Sequence, residues 1–209
     1  MALATREAAM TALFNLLVGS VVTNFTATTT NGSATLTAPS SFTGLFLGLP
    51  VFGPGIPEGA VVVGWDTVLL TVTLSLTAQA NGSGVALTTG FLTTGRRALY
   101  WSKVSAQPAL FLRNTGTVYE RQGSLLKRVL KAEIWIYSQA GKNVDFAPGI
   151  ALNNLIDAIE AALDPGPTSD RQTLGGLVQH CWLDGDGVDD PGDLDGQAKA
   201  VLPVKIALP

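Results

Sequence analysis

Between Ser20 and Gly95 the chain carries only two charged residues, Glu58 and Asp66, and no Lys or Arg stands anywhere from residue 7 to residue 95. A disordered linker holds itself in solution with charge and little apolar matter. This stretch has the opposite make-up, with the apolar runs VVVGW and LLTVTLSL and its polarity drawn from Thr, Ser, Gly and Asn. β-Branched residues alternate with small polar ones in NFTATTTNGSATLT, GLFLGLPVFGPGIPEGAVVVGW and DTVLLTVTLSLTAQANGSGVALTTG, and NG, PG and GSG mark turns. The pattern predicts about five or six short strands, spaced as in a small β-sandwich or barrel. VVVGW, LLTVTLSL and GLFLGLPVF are expected to build its core, with Trp65 and Phe52 packed there.

The flanking parts differ in composition and period. From Arg6 to Val18, Met10, Leu13, Phe14 and Leu17 fall on one helical stripe. After the uncharged block, TTGRRALYWSKV, QPALFLRN and SLLKRVLKAEIWIYSQ read as three strands. The last is the clearest, with Ala132, Ile134 and Ile136 on one face and Lys131, Glu133, Trp135 and Tyr137 on the other. APGIALNNLIDAIEAALDPGP reads as a helix that has Pro148 in its first turn and buries Leu152, Leu155, Ile156, Ile159 and Leu163. The Pro165–Gly166 pair should end it. Two strands, roughly Thr173–Leu183 and Gln197–Leu208, close the sequence. The expected fold class is therefore α+β. Residues 1–20 and 93–209 form a mixed β-sheet packed by two helices, and residues 21–92 form an inserted all-β domain. An insertion is tolerated where the chain leaves and rejoins the host at neighbouring points.

The whole chain has 209 residues, 46% apolar and only 14% charged, enough for one large core or two small ones. Its net charge of -3 is too small to steer it toward nucleic acid or a membrane surface. The lone Cys181 excludes an internal disulfide and a multi-cysteine zinc site, and a reducing place of assembly fits it. No apolar run reaches transmembrane length, and the opening MALATREAAMTALFNLLVGS reads as a soluble amphipathic helix rather than a signal peptide.

Six aspartates, Asp184, Asp186, Asp189, Asp190, Asp193 and Asp195, crowd the connection between the last two strands. A calcium loop of the EF-hand type needs oxygen ligands at positions 1, 3 and 5, Gly at 6 and Glu at 12. Counted from Asp184, those last three positions hold Val188, Asp189 and Asp195, so the frame fails and a solvated turn is expected. His180 and Cys181 are neighbours on a strand and point to opposite faces, which excludes a Cys–His catalytic pair. Arg96, Arg97, Lys103, Arg121, Lys127, Arg128 and Lys131 lack interleaved aromatics and should line a polar sheet face or an interface. PGPTSDRQTLGG is not a phosphate loop. No catalytic, cofactor or metal site is expected, and the chain is not read as an enzyme.

Outside the uncharged block, the succession REAAMTALFNLL, GRRALYW, QPALFLRNTG, LKAEIWIYSQ, APGIALNNLIDAIEAAL, QTLGGLVQHCWLDG and QAKAVLPVKIALP resembles the tail-terminator (tail-completion) proteins of long-tailed bacteriophages, of the lambda minor tail protein U type. The resemblance implies a structural virion protein of the tail and neck, assembled in the host cytoplasm, with no enzymatic activity, no cofactor and no membrane. It implies a homo-hexameric ring that caps the tail tube protein and joins it to the head–tail connector and neck proteins. Genomic DNA would pass through without specific binding. The aspartate run lies where that family keeps a variable acidic turn. A negative wall would not hold the phosphate backbone, so Asp184–Asp195 is expected as a hairpin-like loop facing the lumen or an adjoining ring. Ring contacts join two different faces head to tail. Trp101, Arg128, Lys131 and Trp135 are the candidate interface residues, with both tryptophans expected to be exposed. Residues 21–92 depart from the family pattern and look like the β-modules that decorate virion proteins. Two alternatives are a neck or head-completion protein of the same virion, and a surface carbohydrate-binding module stacking ligands on Trp65 and Phe52.

Overall fold

The computed structural model describes residues 5–122, 125–139, 149–164, 171–192 and 196–209. Among the described residues the fold is α+β and mostly β, with two α-helices and two sheets. Helix α1 (Arg6–Gly19) starts at Thr5, whose hydroxyl accepts a hydrogen bond from the Ala8 N–H at 3.1 Å and so satisfies one of the free donors of the first turn. Ala9, Met10, Leu13 and Leu17 are buried and Phe14 is half-buried, so the stripe read from the sequence is the packed one.

The uncharged block folds into six short strands: β1 (Asn24–Thr29), β2 (Thr35–Thr37), β3 (Val51–Phe52), β4 (Val62–Asp66), β5 (Thr71–Leu74) and β6 (Gly82–Thr89). They pair antiparallel in the order β3-β6-β1-β2-β5-β4. The two outer strands of that order also meet. Pro50 and Val61 form a bridge, Gly48 N–H donates to the Val62 carbonyl at 2.8 Å, and Val51 N–H donates to the Ala60 carbonyl at 2.9 Å. The sheet thereby closes on itself as a small barrel, which leaves no long free edge. Phe25, Ala27, Leu36, Val51, Val62, Val72, Leu74 and Leu87 fill it.

The expected core is corrected in two places. VVVGW contributes only Val62 to the fully buried set, while Val63 and Trp65 are exposed. Leu69 and Leu70 stand exposed with Val68 in the β4–β5 turn, where Asp66 Oδ1 accepts from the Val68 and Leu69 N–H groups at 2.8 Å each. A hairpin tip has no second layer over it, so its apolar side chains stay in water. Phe52 is half-buried.

The chain leaves and rejoins the rest of the protein at one point. Thr89, buried, donates through its hydroxyl to the Val21 carbonyl at 2.7 Å and accepts there from Thr23 N–H at 2.8 Å.

The second sheet contains β7 (Thr93–Gly95), β8 (Ala109–Gln122), β9 (Leu125–Gln139), β10 (His180–Leu183), β11 (Val188–Asp190) and β12 (Gln197–Leu208). Its order is β10-β12-β9-β8-β7, with β11 also on β12. The parallel β7–β8 pair makes it mixed, and its other pairs are antiparallel. Helix α2 (Ile150–Leu163) buries the five residues expected of it, Leu152, Leu155, Ile156, Ile159 and Leu163. Pro148, Pro165 and Gly166 lie outside the described residues. α1 and α2 touch each other and pack on the same face of this sheet, over Leu130, Ala132, Ile134, Ile136, Val204 and Ile206.

Two strand expectations are corrected. TTGRRALYWSKV is a strand only over Thr93–Gly95, and a short 3₁₀ turn follows at Trp101–Lys103. The parallel pairing requires the chain to travel back before β8, which a continuous strand there would prevent. The segment expected as Thr173–Leu183 is extended only over His180–Leu183, preceded by turns in which Leu174 takes φ +51°.

One continuous buried cluster joins the helix layer to the barrel interior. The two meet closely at Gly48, which has φ +84° and lies where an added β-carbon would overlap that of Ala151 at the start of α2. The barrel thus has its own interior but is docked on the second helix. Among the described residues no helix is long and apolar enough to cross a membrane.

Candidate assembly surface

The face of the second sheet away from the helices is built by the other half of the β9 alternation. Tyr137 is buried at its centre, donates through its hydroxyl to the Leu99 carbonyl at 2.6 Å, and meets Trp101 edge-on with ring centres 5.6 Å apart. Phe111 and Trp135 complete the cluster at 6.0 Å and 6.3 Å from the same ring. Burial raises the Tyr137 pKa above its ordinary value. Trp101 and Trp135, expected to be exposed, are therefore half-buried packing residues. The chain returning from β7 lays Leu99, Trp101 and Val104 across this end of the sheet, a crossing that strand periodicity does not encode. Beyond the cluster the face is polar and carries both signs of charge. Glu133 accepts from Trp135 Nε1 at 3.0 Å and lies 3.8 Å from Arg113, and Lys131 is exposed. An exposed pair of that length contributes little stability.

The aspartate run is more ordered than a turn. β10 and β11 follow one another along the same edge of β12, with Leu183 opposite Val204 and Val188 opposite Val201. The residues between them, 184–187, face only Leu202 and Pro203, so the edge bulges there. Asp184 sits at the bulge. Its carboxylate is 2.6 Å from Lys205 Nζ and accepts from Trp182 Nε1 at 3.3 Å. The Lys205 hydrogen bond first, and the Trp182 one second, hold its pKa below the usual carboxylate range. Asp186, Asp189 and Asp190 are exposed, Asp190 Oδ1 accepts from Gly192 N–H at 3.1 Å, and Asp193 and Asp195 lie outside the described residues. Asp189 and Asp190, expected within a loop, stand on an edge strand paired with β12. Among the described residues no group of three His, Cys, Asp or Glu side chains is arranged to hold a metal ion.

His180 and Cys181 do point to opposite faces. His180 stacks on Trp182 with ring centres 4.8 Å apart, while Cys181 faces the core and burial pushes its thiol pKa up to about 12.

The sequence reading missed an arm. β12 ends at Leu208, opposite Arg128, and Arg128 Nη2 donates to the Pro209 carbonyl at 3.1 Å. Among the described residues, β8 and β9 continue past that point paired only with each other, from Tyr119 opposite Arg128 to Gln122 opposite Leu125. Tyr119, Arg121 and Leu126 are exposed on the arm, and the Arg6 guanidinium lies over the Tyr119 ring at 5.8 Å. Of the candidate interface residues, Lys131 is exposed, Arg128 is tied to the C-terminal residue, and Trp101 and Trp135 serve the aromatic cluster. Compared with family models and with curated proteins, the chain matches none.

Proposed function

We propose that the chain is a structural virion protein that forms a six-membered ring, closes a phage tail tube, and joins it to the head–tail connector. The single observation that carries this reading is an asymmetric sheet. It has helices on one face, a two-signed open face on the other, and an acidic edge along β10–β11. A surface of this kind complements a different part of its copy, which is the requirement for a heterologous ring. The sequence resemblance supplies the tail-terminator assignment, and the acidic edge suits a conduit that DNA must traverse without being held. The barrel of residues 21–92 is read as an inserted decoration on the outside of that ring. It is nearly free of charge, and its ends meet at Thr89. Its partners are further copies of the chain, the tail tube protein and the neck proteins, with no catalytic step and no cofactor.

Negative-stain imaging of the purified protein and of tails tests this. A six-fold ring at the head-proximal end of the tail is expected. A twelve-fold ring would instead assign the chain to the neck, and a single copy per particle or a place at the tail tip would overturn both.

A further inference from the structure

The β4–β5 hairpin turns through Thr67, Val68, Leu69 and Leu70. Val68, Leu69 and Leu70 are 88%, 71% and 50% exposed, and Trp65 behind them is 42% exposed. Turns ordinarily take Gly, Asn, Asp or Ser, which bend the chain at least cost and are at home in water. Three aliphatic side chains stand here in succession instead. Leu70 even takes φ +50°, a left-handed conformation that costs a leucine stability and suits Gly or Asn. Folding alone does not favour leucine at that position, and a backbone outlier of this kind points to a functional segment. The tip also satisfies backbone groups from within. Asp66 Oδ1 accepts from the Val68 and Leu69 N–H groups at 2.8 Å each, and the Leu70 carbonyl accepts from Ala38 N–H at 2.9 Å. Those groups need no water, which is the condition for entering a medium that offers no hydrogen bonds.

We infer that this tip inserts into a neutral lipid surface, with Val68, Leu69 and Leu70 among the acyl chains and Trp65 at the level of the headgroups. The inference goes beyond the ring reading, which gives the barrel no partner. Three observations select lipid as the occupant. The first is size: an apolar patch of four side chains is on the order of 500 Å², below the ~800 Å² that each partner gives to a standard protein–protein interface. The second is depth. Trp65 is level with Val72, one step behind the last pair of the hairpin, Asp66 with Thr71. Val68 stands three residues further on, at most about 10 Å of extended chain, and interfacial segments bury their apolar side about 5–10 Å deep. Tryptophan favours the boundary at which Trp65 would then lie. The third is charge. No Lys or Arg stands from residue 7 to residue 95, and the barrel carries only Glu58 and Asp66. Nothing on it attracts anionic headgroups, and both carboxylates oppose them, so a zwitterionic bilayer fits and an anionic one does not.

Flotation of the full chain with vesicles of phosphatidylcholine, and of phosphatidylcholine mixed with phosphatidylserine, tests the insertion. The wild type should float with the neutral vesicles, no less at high salt than at low, and less with the anionic ones. Leu69→Ser should weaken this partitioning about tenfold, the scale of one buried leucine side chain. Val68→Ser with Leu69→Ser should abolish it. Leu70→Asn separates insertion from folding. It relieves the left-handed strain, so Tm should hold or rise while vesicle binding falls. Brominated phosphatidylcholine should quench tryptophan fluorescence in the wild type, and Trp65→Phe should remove most of that quenching. Tyr100→Ser, at a side chain as exposed as Val68 but on the segment after β7, should change nothing. A wild type that stays off neutral vesicles, binding that requires anionic lipid or vanishes at high salt, or unaltered binding by Leu70→Asn would overturn the inference. Self-association in sedimentation velocity that Val68→Ser with Leu69→Ser removes, without any vesicle binding, would assign the tip to a second copy of the chain and overturn it too.

Discussion

Replacing Gly48 with Ala tests whether the barrel and the helix-packed sheet fold as one unit. Gly48 has φ +84°, a conformation in which a β-carbon costs about 1 kcal/mol. That new carbon would also overlap the Ala151 side chain on α2, and overpacking of this kind costs about 1–3 kcal/mol. The combined loss is about 2–4 kcal/mol. For a chain of this length each kcal/mol moves Tm by about 2–4 °C, so a fall of roughly 5–15 °C is expected. Ala151→Gly in the same chain should return the overlap component, leaving the backbone strain and up to about 1 kcal/mol for glycine in a helix. A double-mutant cycle should therefore give a coupling of about 1–3 kcal/mol. The assay is thermal unfolding followed by far-ultraviolet circular dichroism and by tryptophan fluorescence. Trp65 is on the barrel, Trp135 and Trp182 are on the other sheet, and Trp101 is on the 3₁₀ turn packed against it. One cooperative unit requires the two signals to shift together. Unchanged melting in Gly48→Ala, a loss that Ala151→Gly does not relieve, or a shift in barrel signals alone would refute the reasoning that the two parts share a core across this contact.

Asp184 has a lowered pKa because Lys205 and Trp182 hydrogen-bond its charged form, so the stability it supplies is present above its unfolded pKa near 4 and is lost as pH falls through the folded value. Asp184→Asn should flatten the Tm-versus-pH curve below about pH 4 relative to the wild type, and parallel curves would refute the pairing. With its pKa pushed up to about 12 by burial, the Cys181 thiol should not react with a thiol reagent at pH 8 in the native protein and should react at once in denaturant. Rapid native labelling would show that β10 is not packed as described. Melts with calcium and with chelator should coincide, because Val188 and Asp189 break the ligand frame. A stabilisation of several degrees by calcium would place a binding site in the aspartate run.

What the sequence determined by itself was local in origin. The stripe of Met10, Leu13 and Leu17 and the buried set from Leu152 to Leu163 were legible because a helix exposes its period over four turns without outside help. The β9 alternation was legible for the same reason at period two. The barrel's strand character was legible from its Thr, Val and Gly pattern, because uncharged alternating runs have few other stable outcomes. Tertiary structure decided the rest. The barrel closes through Pro50 and Val61, a pairing between segments whose separate sequences carry no register signal. Trp65 is exposed and Trp135 half-buried because burial depends on what crosses above a residue, and the Leu99–Val104 segment crosses over Trp135 while no described residue crosses over the β4–β5 tip. Asp189 and Asp190 became part of an edge strand because β12 offered them a backbone to pair with, overriding the turn preference of Gly, Asp and Pro.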